Sequence, residues 1–382
     1  MATDNYSQFD EIRPFNPSEL PAVYDRLLAS EQFRKVLTYL YPGVDMQTIA
    51  GMMHRCRTNL EFQKALCYPF LEQLLAKASH GCDMDASAID SGKRYTFVSN
   101  HRDIVLDSAL LDKMLIDNGF TTTCEIAIGD NLLSLSWVRD LVRVNKSFIV
   151  ERSLQPRQML MASKRLSEYM HLVISDKNDN IWIAQREGRA KDSDDRTQPS
   201  VLKMMAMGGD RNPIESLKQM HIVPLAISYE YDPCDYLKAR EFQLKRDVEG
   251  WKKSPQDDVE SMRVGIMGFK GRIHYHCAPC VDDWLESIGS TLPKTELFNA
   301  LAEEIDKRIF SSYRLYANNY VAAHKLGDTD YSDKFTKEEE ETFMRYIDGQ
   351  LTKIDIPDKD EEYLRERLLV MYANPLFNSL KG

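Results

Sequence analysis

The spacing of apolar positions divides the chain into three textures. Through residues 17–80 apolar side chains return at helical intervals. "NPSELPAVYDRLLAS" opens on Asn16, Pro17 and Ser18, with Glu19 in the first turn, and "FRKVLTYLY" and "EFQKALCYPFLEQLLAKA" keep the period. From about residue 93 the pattern changes to short β-rich runs separated by helical stretches: "YTFVSN", "TTCEIAIG", "KSFIV", "NIWIAQ" and "HIVPLAISY" alternate with "SALLDKMLIDNG", "LLSLSWVRDLV", "QMLMASKRLSEYMHLV" and "SVLKMMAMGG". Alternation of this kind predicts βαβ units and an α/β fold, a largely parallel mixed sheet covered by helices. A last strand, "GRIHYHCAP", follows a polar insertion at about 232–262, and the remainder is helical again, with a solvated acidic run "KEEEE". The expected organisation is an N-terminal helical unit at 1–85, an α/β domain at 86–290 and a C-terminal helical extension at 291–382.

Composition narrows the function. A hydrophobic share of 43% and an aromatic share of 10% over 382 residues are those of a globular chain with a sizeable core. No apolar run reaches the roughly 18 residues of a spanning helix. The start, "MATDNYSQFDEIRPF", lacks a basic region followed by an apolar one, so no signal peptide is expected. Seven scattered cysteines read as reduced thiols of a cytoplasmic protein. The formal charge of −10 argues against a nucleic-acid partner and against purely electrostatic adhesion to anionic lipid. Between Arg139 and Arg165, however, seven basic residues stand against two acidic ones, and an anionic ligand or acidic partner would go there.

In open α/β sheets chemistry sits where strands end. "KRYTFVSNHRDIVLDSALLD" drives a strand into Asn100, His101, Arg102 and Asp103, with Asp107 entering the next helix. His101 is a candidate base. Asp107 suits both the cap of that helix and the carboxylate that fixes the imidazole tautomer, two compatible roles, and Asp103 is the rival partner. After "IWIAQ", "REGRAK" places Glu187, Gly188 and Arg189 in a tight turn where a guanidinium can grip a phosphate. "HYHCAPC" holds two histidines and a C-x-x-C, but the histidines alternate along a strand and no second cysteine pair is near, so no metal site is expected. Walker, G-x-S-x-G and G-x-G-x-x-G motifs are missing.

The order of the blocks "NHRDIVLDSALL", "NKSFIVERS", "WIAQREGRAKDS", "IVPLAISY" and "GRIHYHCAP" resembles the motif series of the glycerolipid acyltransferase superfamily. That resemblance implies a glycerolphosphate acyltransferase-like fold. It implies transfer of an acyl chain from a thioester of coenzyme A or acyl carrier protein to a hydroxyl of glycerol-3-phosphate or lysophosphatidate, in phospholipid synthesis. His101 would be the general base and Asp107 its partner, with Lys146, Arg152, Glu187, Gly188 and Arg189 binding substrate and Pro224 in a turn behind the pocket. No cofactor or metal is implied, and because the hydroxyl attacks the thioester directly, no serine or cysteine nucleophile is needed. The acceptor implies peripheral work at the inner face of a membrane, with "NLLSLSW", Asn131 to Trp137, as the expected apolar contact. Three spacings depart from the family pattern. Five residues separate His101 from Asp107, one extra residue precedes Arg152, and one is missing between Gly188 and Arg189. Two other readings remain: O-acylation of a phosphate-free aminolipid, which would keep His101, and a non-catalytic lipid- or carrier-binding protein on the same fold.

Overall fold

The apolar runs become the strands of one sheet. β1 (Cys82–Asp85), β2 (Thr96–Ser99), β3 (Cys124–Gly129), β4 (Ser147–Val150), β5 (Asn180–Ala184), β6 (Ile222–Tyr229) and β7 (Ile273–Cys277) lie in the order β1-β7-β6-β2-β5-β3-β4. Every neighbouring pair is parallel except β6 with β7. This arrangement comes from a computed structural model that describes residues 6–152, 154–288, 292–293 and 295–381. The expected α/β class, largely parallel and mixed, is the class observed.

Each strand fits its place. All residues of β2 and β6 are buried, as continuous aliphatic runs are when helices cover both faces of a parallel sheet. β1, "CDMD", has no apolar run and pairs only with β7. It is an edge strand, where aspartates can stay in water. The sheet therefore starts inside the segment expected to be purely helical, and the boundary at residue 85 falls one strand late. Pro224, expected in a turn, lies within β6. Its carbonyl accepts from Ala278 N, just past the end of β7, so the missing N–H falls where that neighbour has no further strand residue to pair.

The N-terminal unit contains α1 (Leu20–Ala29), α2 (Glu31–Leu40), α3 (Met46–Arg55), α4 (Asn59–Phe62), a π-turn at Gln63–Cys67 and α5 (Tyr68–Ala78). α6 (Leu106–Asp117) and α5 cover one face of the sheet, packing on Phe97, Ile126, Trp182, Leu225 and Tyr275. α7 (Ser136–Val144) joins α1–α3 through Trp137, Leu141 and Val144. The other face, with Val98, Phe148, Ile181 and Ile222, is covered by α8 (Pro156–Ser175), α9 (Pro199–Met205), α10 (Pro213–Lys218), α13 (Asp282–Ile288) and α14 (Leu297–Ser311). The polar insertion folds as α11 (Asp235–Asp247) and α12 (Pro255–Met267). α15 (Ala317–Lys325), α16 (Lys337–Thr352) and α17 (Glu361–Ser379) form a further core with Ala239 of α11. The expected extension from 291 is thus two things, because α14 belongs to the sheet and only α15–α17 stand apart.

Candidate active site

β2 ends at Ser99, and the next residue continues its ladder with a side chain. The buried Asn100 amide accepts from Ile227 N at 2.8 Å and donates to Ile227 O at 2.9 Å, so it pairs with β6 where β2 has run out. Trp182 Nε1 donates to Ser99 Oγ at 3.0 Å, and the indole meets the His101 ring edge-on at 5.6 Å. Both contacts fix where the backbone turns and how the imidazole stands.

His101 Nδ1 lies 2.8 Å from Asp107 Oδ2. The same oxygen accepts from the backbone N–H of Arg102 at 2.6 Å and of Asp103 at 3.0 Å, and the Asp107 side chain is fully buried. A carboxylate held by two amides keeps the proton of the imidazole on Nδ1 and leaves Nε2 with a free lone pair. Asp107 is therefore not the cap of its helix. That work falls to Asp103, whose Oδ1 accepts from Val105 N and Leu106 N, each at 2.8 Å. Burial, and then the neighbouring Asp107, push the Asp103 carboxyl up. Arg102 ties the loop to distant chain: it forms a two-pronged pair with buried Asp195, which also accepts from Tyr313 Oη, and its carbonyl accepts from Lys238 Nζ.

His101 faces a cavity of about 930 Å³. Its apolar walls come from Phe33, Leu37 and Leu40 of α2, Leu166 of α8, and Met262 and Ile266 of α12. Arg152, Arg186, Glu187, Gly188 and Arg189 line it too. Gly188 has φ +68°, a conformation that glycine supplies at no steric cost. Arg152 lies 3.6 Å from Glu187 Oε1, and its guanidinium rests on Gly129, where a Cβ would stand 2.8 Å from Nε. Arg189 is 9% exposed and has no hydrogen-bond or ion-pair partner among the described residues for its buried Nη1. Arg186 likewise carries a buried Nε without a partner. Two guanidiniums that each bury an unpartnered N–H beside one cavity have the chemistry to bind an anion. Arg186 was not singled out from sequence, although "REGRAK" begins with it.

Lys146 is elsewhere. It precedes β4 and Arg152 follows it, so the strand separates them to opposite ends of the sheet. Its amine bonds Thr122 Oγ1, Thr123 O and Asp179 Oδ1 at 3.0, 3.2 and 2.9 Å, and it cannot touch a ligand beside His101. The "HYHCAPC" residues also separate. Cys277 is fully buried in the core, His274 bonds Asp83, and Cys280 sits near His221 and Asp282, which already pair at 2.6 Å. In the expected apolar contact, Leu133 is buried in the core and Trp137 donates to Gln32 Oε1, while Leu135 is exposed.

Residues 83–228 match the model of the family described as Acyltransferase. The first three of the blocks that carry the resemblance lie in that span, and the fourth runs to its end. No curated protein matches the sequence. Among solved structures the chain is similar to the 1-acyl-sn-glycerophosphate (LPA) acyltransferase, PlsC, from Thermotoga maritima. The identity is 11%, with 78% of this chain and 98% of that chain covered at a TM-score of 0.39.

Proposed function

We propose that this chain, whose residues 83–228 match the Acyltransferase family model, transfers a fatty acyl group from a thioester, of coenzyme A or acyl carrier protein, to a hydroxyl of glycerol-3-phosphate or lysophosphatidate. The observation that carries this reading is the His101–Asp107 pair on the wall of an apolar cavity that also holds unpartnered Arg186 and Arg189. A volume of about 930 Å³ is at the upper end of the roughly 300–1,000 Å³ of small-molecule sites, and suits a chain plus a head group.

A glycerol hydroxyl is far too weak an acid to ionise near neutral pH, so its proton must leave as the C–O bond forms. His101 Nε2 takes that proton while the oxygen attacks the thioester carbonyl. Asp107 stabilises the imidazolium. The tetrahedral adduct then collapses, the C–S bond breaks, and the departing thiolate recovers the proton from His101. No acyl-enzyme is formed, so no serine or cysteine nucleophile is required. Arg189, Arg186 and Arg152 hold the acceptor phosphate, and the apolar walls hold the acyl chain. The acceptor is a membrane lipid or becomes one, so the protein works peripherally at the cytoplasmic face of a membrane.

The test is acyl transfer by the purified protein to a panel of acceptors with and without phosphate, read by mass spectrometry of the products. Acylated glycerol-3-phosphate or phosphatidate is expected. Product only from a phosphate-free aminolipid would move the acceptor to that class, and no product from any acceptor would overturn the enzyme reading.

A further inference from the structure

We infer that the first two turns of α8, Pro156 to Met161, are a membrane-inserting tip that seats the mouth of the cavity on a lipid surface. This rests on the reading of the acceptor as a lipid and places its contact on residues outside the stretch expected from sequence.

Every residue from Gln155 to Met161 is exposed, although consecutive helical residues point in all directions. Described residues cover little of this part of the helix, and most at Met159, which lines the cavity. A polar sequence would be expected there, yet it carries three consecutive large apolar side chains. Met159, Leu160 and Met161 are 36, 64 and 75% exposed, and Met161 is the most exposed large apolar residue described. One exposed leucine is ordinary, but three in a row at the tip of a helix are a liability in water and a benefit in lipid.

The position of the tip supplies the occupant. Met159, Ala162 and Ser163 line the cavity that holds His101, so the tip stands at its opening, and an acyl chain leaving a bilayer beside Met159 would enter without crossing water. Leu132 lines the same cavity, and Leu135, three residues on, is 41% exposed. Charge agrees. Arg157 is exposed with no ion-pair partner among the described residues, and residues 155–161 contain no acid. A cation flanking apolar side chains fits the negative head groups of a bilayer surface. A carrier protein is the poorer fit. An acidic helix would need several free cations, whereas of the seven basic residues at 139–165 only Arg139 and Arg157 are exposed without an ion-pair partner among the described residues, and the tip itself holds three apolar side chains to one cation.

Flotation of the full chain tests this, with vesicles of phosphatidylcholine alone and mixed with phosphatidylglycerol. The double variant Leu160→Ser/Met161→Ser touches neither the cavity nor the core. It should lower vesicle-bound protein by roughly tenfold or more, with melting and transfer to water-soluble glycerol-3-phosphate unchanged. Arg157→Glu should weaken binding only to the mixed vesicles, and Leu380→Ser, equally exposed but remote in sequence, should change nothing. Flotation of the double variant like wild type overturns the inference. If that result came with a raised KM for a carrier-linked donor, the tip would belong to a carrier protein instead. Absence of transfer by the wild type would sink the enzyme reading and leave the flotation result standing on its own.

Discussion

Gly265 and Asp103 are in such close approach that a Cβ on the glycine would lie 1.9 Å from Asp103 Oδ2. α12 therefore rests on the loop that carries His101, and only glycine allows it. Gly265→Ala must push away a carboxylate that holds the start of α6. A loss of about 1–3 kcal/mol is expected, as for overpacking in a core, with turnover falling more than acceptor KM rises. Thermal melts and saturation curves would show it. An alanine variant with wild-type melting would mean that α12 can retreat freely.

His101→Ala should lower turnover by about 10²–10⁴-fold with little change in melting. Asp107→Asn should be nearly as severe, because an amide offers an N–H to Nδ1 and favours the wrong tautomer. Asp103→Asn keeps an acceptor for Val105 N and Leu106 N and should be milder. Single-turnover rates rank the three, and Asp103→Asn as the most damaging would reassign the support of the base.

Loss of Arg189 or Arg152 should raise the KM for a phosphorylated acceptor by roughly ten- to a hundredfold and leave the donor curve alone. Arg189→Lys should recover part of that loss, since it restores charge but not the fork. Lys146→Ala should spare both curves and lower the melting temperature, because its amine serves Thr122, Thr123 and Asp179. Equal KM effects on phosphate-free acceptors would remove the phosphate from the site.

Burial pushes the Asp112 carboxyl up to about 7, whereas an unfolded aspartate titrates near about 4. The native state binds this proton more tightly, so the group's contribution to stability falls as pH rises between about 4 and 7 and stays lost above. Asp112→Asn mimics the neutral acid. Its melting temperature, taken against wild type, should shift in the variant's favour from about pH 5 to about pH 8. A difference that does not vary with pH would show that Asp112 is ionised throughout.

What could be read from the sequence divides along physical lines. The other six strands announced themselves because they are largely buried on both faces, which demands apolar runs. β1 did not, since an edge strand may be Cys-Asp-Met-Asp. His101 and Asp107 came from residue type and place, and their open pairing was resolved by the turn after His101, whose Arg102 and Asp103 amides hold the Asp107 carboxylate against the imidazole. Lys146 failed because charge along a chain has no direction: four strand residues carry it to the far end of the sheet. Arg186 and the contribution of α2 and α12 to the cavity depend on packing between segments far apart in sequence, which periodicity does not encode.

The sheet order bears on where this protein can be cut. β7, at 273–277, sits between β6 and β1, beyond the end of the matched region at 228. A fragment that stopped there would strand β1 without a neighbour and open the long apolar flank of β6, an invitation to pair with another copy. It would also lack Tyr313 and Lys238, two of the groups that steady Arg102 beside the histidine. During synthesis the loop at residue 101 waits for more than two hundred further residues before its last support emerges. A minimal version of this protein has to be trimmed from its far helices inward, and excision of the motif-bearing segment would yield aggregate in place of a smaller enzyme.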